Sequence, residues 1–137
     1  MSSAGYSGTP LAKKLGIKEG QSVILVNPPE HYFELFESFP QVEFAENGKE
    51  SIDFIHLFCS HLEELEKDFN PLKKALKKNG SLWVSWPKGS SKLPKDLDGN
   101  IVRRYGLSNG LVDVKVCAVD ADWSGLKFMY RLKDRKK

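Results

Sequence analysis

The chain has 137 residues, 40% of them apolar and 28% charged, with a net charge of +3. That length suits a single domain, residues 1–137, whose core needs no staples, and no apolar run approaches the roughly 20 residues a membrane-spanning helix requires. Met1-Ser2-Ser3-Ala4-Gly5 lacks a basic segment followed by an apolar stretch, so no secretion signal is read and the cytoplasm is the expected compartment.

The first element is a helical segment within residues 1–20. Thr9 serves as its cap, Pro10 as its first helical residue and Gly16 as its left-handed end. Ser22 to Asn27 carries four consecutive aliphatic residues, the mark of a strand covered on both faces. Pro28-Pro29 stops it. Glu30 to Ser38 reads as a short aromatic helix, Val42 to Ala45 as a brief strand, and Glu46 to Glu50 as a turn. Ile52 to Cys59 is the second strong buried strand. Ser60 with Glu63 forms a capping box, and Leu62, Leu65, Phe69, Leu72 and Leu76 recur at helical spacing. Pro71 is expected to break or kink that helix, with Asn70 capping its restart and Asn79-Gly80 ending it.

Leu82 to Trp86 is the third strong strand, and Pro87 to Pro94 a flexible loop. A short helix follows around Gly99 to Tyr105. Val112 to Val116 alternates apolar and polar residues, as a strand with one wet face does. Asp120 to Gly125 is a turn, Leu126 to Leu132 a last strand, and 133–137 a frayed basic tail. Strands alternating with helices and then a terminal hairpin predict an α/β fold. The expectation is a Rossmann-like three-layer sandwich with a mainly parallel sheet and an antiparallel C-terminal hairpin.

Charge is distributed unevenly. Residues 30–68 hold eleven acids and two bases, and residues 69–137 hold six acids and sixteen bases. Such asymmetry marks either a nucleic-acid partner or two faces of opposite sign that complement each other in the fold or in a homodimer. Cys59 and Cys117 lie in apolar segments outside any C-x-x-C pair and read as buried reduced thiols, with a disulfide between them as the alternative. His31, His56 and His61 lack metal-ligand spacing, so no metal site is expected.

The second half resembles the back end of a class I methyltransferase. The carrying residues are Ile52-Asp53-Phe54-Ile55-His56, then Leu76 to Val84 with its Asn79-Gly80 turn, then Tyr105-Gly106-Leu107 through the final hairpin. The front end departs from that family. Its first strand is followed there by a glycine-rich loop that approaches S-adenosylmethionine. Here Asn27-Pro28-Pro29-Glu30-His31-Tyr32 has no glycine, and two prolines remove N–H donors. Glu46 is the one candidate for the family's ribose-binding acid, and one strand–helix unit is missing. The resemblance therefore implies the scaffold without its cofactor, and none is expected. The whole chain is also similar to a bacterial family known as domain of unknown function 3052. The segments that carry this are Gly5 to Ile17, Gly110 to Asp120 and Trp123 to Phe128; it brings no catalytic residues.

Ligands of open α/β sheets bind beyond the carboxyl ends of the strands. That crevice would be lined by Asn27, His31, Ser60, His61 and Lys88. Ser60 and His61 form an acid–base pair or, more simply, a cap and an exposed first-turn histidine. Gly89-Ser90-Ser91-Lys92 has the composition of an anion-binding loop without P-loop spacing. His56 reads as a hydrogen-bonded core residue. Trp83 and Trp86 point to opposite faces. Asp120, Trp123 and Ser124 form a partner surface or a hairpin lining. No activity follows from these residues. The leading reading is a non-catalytic domain that binds a small molecule or protein. The alternatives are a small-molecule enzyme, including a degenerate methyltransferase, and weak non-specific nucleic-acid binding through the basic half.

Overall fold

A computed structural model describes residues 10–46 and 50–135. Six strands form one sheet in the order β2-β1-β3-β4-β6-β5. They are β1 (Ser22–Val26), β2 (Glu43–Phe44), β3 (Ile52–Phe58), β4 (Leu76–Pro87), β5 (Leu111–Ala118) and β6 (Trp123–Tyr130). The first four are mutually parallel, while β6 runs antiparallel to both β4 and β5. This is the mixed α/β sheet with a C-terminal hairpin that the pattern predicts.

Side chains alternate across a strand, and β3 sorts the core accordingly. Ile55 and Leu57 join Leu65, Phe69 and Leu72 of α2 (Leu62–Ala75) and Val102 of α3 (Gly99–Ser108). Phe54 and Phe58 face the other way, toward Leu15 of α1 (Leu11–Leu15) and toward Tyr32 and Phe36. Trp83 and Trp86 fall one on each side, and both are core. The Trp83 indole donates to the Leu15 carbonyl at 2.8 Å, which fastens α1 to the sheet.

Several local expectations are corrected. Pro10 is the N-cap of α1 rather than its first helical residue; Thr9 lies outside the described residues, as does the turn core 47–49. Gly16 takes the left-handed end as expected, at φ 84°. The helix read over Glu30–Ser38 is only a 3-10 turn, Tyr32–Leu35. Its aromatics do not share one helical face: Tyr32 is buried edge-on against Phe33, Phe39 and Phe58, while Phe33 points outward.

The cap of α2 falls one residue later than read. His61 is the N-cap, and Glu64, not Glu63, accepts from the Ser60 and His61 N–H groups at 2.7 and 3.2 Å. The helix runs through Pro71 without interruption. Leu65, Phe69 and Leu72 are buried on both sides of the proline, and that tertiary contact outweighs the missing N–H. Asn70 accordingly caps nothing; its amide donates to Asn109. The helix ends at Ala75, because Leu76 already pairs with Ile52 in β4. A bulge spans the residues between Leu76 and Ser81. There Gly80 passes so close to β3 that a Cβ would sit 2.9 Å from the Ile52 and Asp53 carbonyl oxygens.

The alternation of β5 is broken by a register shift between Asp113 and Lys115, which leaves Val114, Lys115 and Val116 all exposed. Residues Leu132–Arg135 form a helical turn, α4, where the start of a frayed tail is expected, and 136–137 lie outside the described residues; the Arg135 guanidinium donates to the Tyr130 carbonyl at 2.7 Å. The loop after β4 is internally tied. Ser91 N–H donates to the Lys88 carbonyl and Lys95 to the Ser91 carbonyl.

Candidate functional site: the carboxyl rim of the parallel strands

Strands β1, β3 and β4 end on one edge of the sheet. The β5–β6 turn lies on the same edge because Pro87 pairs with Trp123. Asn27, the first residue past β1, has φ 55°. Asparagine tolerates this left-handed conformation better than most residues, so Asn27 makes the turn that a glycine would make. Its amide donates to the Phe58 carbonyl at 3.5 Å, and Pro28 and Pro29 follow without N–H donors.

The structure joins two groups of residues that sequence reading keeps apart. His31 Nε2 lies 2.9 Å from Asp120 Oδ2, so the loop after β1 is bound to the hairpin turn. The other Asp120 oxygen accepts from the Asp122 and Trp123 N–H groups at 2.8 Å each, an Asx-type turn. The Lys88 N–H donates to the Asp122 carbonyl at 2.8 Å, and the Ser91 hydroxyl to the Asp122 carboxylate at 2.9 Å. Ser124 lies in the ladder opposite Trp86 and Ala118.

Ser60 and His61 are held by their backbones at the start of α2. Their N–H groups are taken by Glu64, and the Ser60 carbonyl accepts from Asp96. His61 is half-buried as the cap, not exposed in the first turn. Asp96 also accepts from the Leu62 N–H at 2.7 Å. Asp122, Ser91, Asp96 and Glu64 were missed as rim residues. The signal for Asp122 was present in Asp120-Ala121-Asp122, once the hairpin is placed antiparallel to β4.

Below the rim is a buried polar chain. The His56 ring, fully enclosed, bonds Tyr32 Oη at 3.1 Å through Nδ1 and Ser85 Oγ at 2.7 Å through Nε2. Burial pushes the imidazole down to about 3 and the Tyr32 phenol upward, so both are neutral at pH 7. Phe58 stacks on His56 at 4.2 Å, and the half-buried Trp123 ring packs edge-on over Phe58 at 5.0 Å. Trp123 therefore lines the hairpin against the sheet. Both cysteines are free. Burial, with Glu64 and Asp68 nearby, raises the Cys59 thiol to about 12 and removes it as a nucleophile at neutral pH. Among the described residues no cluster of three or more His, Cys, Asp or Glu side chains is placed to hold a metal. No helix among them is long and apolar enough to cross a membrane.

No family model matches the chain, and no curated protein matches it. Solved structures do. A SAM-dependent methyltransferase from Aquifex aeolicus superposes with a TM-score of 0.58 at 17% identity, over 88% of each chain. A protein described as a type 11 methyltransferase from Sulfolobus solfataricus gives 0.57 at 15% identity, over 88% of this chain and 89% of that one. The fold is methyltransferase-like. At such identities the likeness extends to the fold alone.

The fold family implies S-adenosylmethionine, and the residues present do not fit it. The loop after β1 offers two prolines where backbone donors are needed, and His31 is bonded across to Asp120. Glu46, the one candidate for the ribose acid, lies past the end of β2, whose pairing reaches only Ser22 and Val23.

Proposed function

We propose that this chain is a non-catalytic binding domain on a methyltransferase-like scaffold, whose recognition surfaces lie outside the strand-end crevice. One observation carries the reading: the three loops of the rim are bonded to one another, through the His31 and Ser91 side chains and the Lys88 backbone N–H. His31 with Asp120, and Lys88 and Ser91 with Asp122, tie three loops together across the place where a ligand of such folds would sit. A cytoplasmic location and kinship with the family known as domain of unknown function 3052 belong to the same proposal. The test is a thermal-shift screen against nucleotides, cofactors and small metabolites. A bound ligand at 100 times its dissociation constant would add about 2.7 kcal/mol and raise the melting temperature. The reading expects no such shift.

A second reading is favoured by one feature. His31 is about half-exposed and its ring is oriented by a carboxylate, the arrangement a general base requires. It predicts a metabolite whose stabilising effect is lost in His31→Ala while the fold is kept.

A further inference from the structure

The acidic segment is not neutralised inside the fold. Of the eleven acids between residues 30 and 68, only Asp53 forms an ion pair with the basic half among the described residues, to Lys77 at 3.1 Å. Glu30, Glu34, Glu37, Glu43 and Glu46 are all exposed, and residues 19–48 contain no lysine or arginine. Two phenylalanines stand among these carboxylates. Phe33 and Phe44 are 50% and 52% exposed, with ring centroids 6.0 Å apart and planes perpendicular. Phe39 packs against both, at 5.1 and 6.1 Å, and fixes them in place. The face lies at the β2 edge, where the sheet has no further strand.

The sign of the charge narrows the occupant. Carboxylates with no ion-pair partner among the described residues repel phosphate polymers and anionic lipid, while exposed rings favour an apolar contact. What fits is a basic protein surface with an apolar knob. The chain carries one at its own other end. Leu132 in α4 is 72% exposed between Arg131, Lys133 and Arg135, and the Arg131 guanidinium donates to the carbonyl of exposed Leu107 at 3.2 Å. In the sheet order β2 and β6 are separated by β1, β3 and β4, four strand spacings or about 19 Å. One copy cannot close this contact on itself.

We propose that the Phe33–Phe44 face docks the Leu132 end of a second copy of this chain, head to tail. Such a contact is heterologous, so it adds copies in sequence unless a ring closes. It extends the binding-domain reading to a named partner but rests on the exposed rings and carboxylates at the β2 edge, not on the bonds that tie the rim loops.

Sedimentation velocity on the full chain tests it, from about 10 μM to about 1 mM. Runs use about 0.05 M and about 0.5 M salt, since screening weakens exposed charge pairs. The mass should rise above 15.5 kDa with concentration at low salt and return to it at high salt. Glu34→Lys/Glu43→Lys and Lys133→Glu/Arg135→Glu should each raise the dissociation constant about tenfold or more. Glu34, Glu43 and Lys133 are exposed, Arg135 is half-buried on the Tyr130 carbonyl, and circular dichroism verifies the fold. Mixed one to one, the two variants present opposite charges at both contacts, so association should recover toward that of the wild type. A wild-type chain that stays monomeric, or association that neither variant weakens, overturns the proposal. Neither result touches the reading of the rim.

Discussion

Lowering the pH should unfold this protein through one residue, His56. The ring is fully enclosed, and both nitrogens are committed to the neutral groups Tyr32 Oη and Ser85 Oγ. No carboxylate is bonded to it to stabilise a positive charge, and burial holds its pKa at about 3, against 6.5 for a free histidine. The folded state therefore resists protonation while the unfolded chain accepts it. Stability is fully present above pH 6.5 and falls as the pH drops toward 3, by about 1.4 kcal/mol per unit. Between pH 7 and pH 5 the loss is about 2 kcal/mol, and the full loss below pH 3 about 5 kcal/mol. The upper part of this window is free of Asp53. Burial works against its carboxylate, but Ser22 and Lys77 outweigh that and hold the pKa below the usual range, so its contribution is lost only at lower pH. Urea denaturation at half-unit steps from pH 7.5 to 5 measures the slope. His56→Gln, which keeps donor and acceptor but does not titrate, should flatten the curve by about one proton whatever its absolute stability. An unchanged slope in that variant would refute the reasoning.

Pro71→Ala should stabilise the fold by about 1–3 kcal/mol, partly offset by the freer unfolded chain, because α2 already runs through an exposed proline; a lowered thermal midpoint would contradict this. Gly106→Ala should destabilise despite the helical gain of about 1 kcal/mol, since its Cβ would lie 2.1 Å from Phe128 Cε1, and overpacking costs about 1–3 kcal/mol or more. An unchanged urea midpoint would contradict that. Nucleic-acid binding should be weak and non-specific, with dissociation constants of about 10⁻⁴–10⁻⁶ M at physiological salt. Sequence-dependent nanomolar binding to duplex DNA or single-stranded RNA at about 0.2 M salt would overturn this.

Legibility in the sequence followed the length scale of the interaction. β1, β3 and β4 could be read because buried parallel strands need uninterrupted apolar runs, and the α2 stripe because Leu65, Phe69 and Leu72 obey one helical period. Leu76 kept its burial but changed element, since the same periodicity serves the end of a helix and the start of a strand. Pro71 misled because propensity is local whereas the contacts that hold α2 straddle it. At the site, Asn27, His31 and Lys88 were placed on the correct edge by strand order alone. Their partners were not legible, because the His31–Asp120 bond spans 89 positions and depends on where the hairpin returns. The bulge at Val114 left no mark in a segment that alternates cleanly as written.

The rim is expected not to accept the cofactor of the fold it resembles. Calorimetric titration of the full chain with S-adenosylmethionine, repeated with S-adenosylhomocysteine, tests it most directly. No heat beyond dilution is expected, which places any dissociation constant weaker than about 1 mM, or about 4 kcal/mol of binding. A saturable isotherm in the low micromolar range would contradict it, because Pro28-Pro29 and the His31–Asp120 bond would then not exclude the ligand.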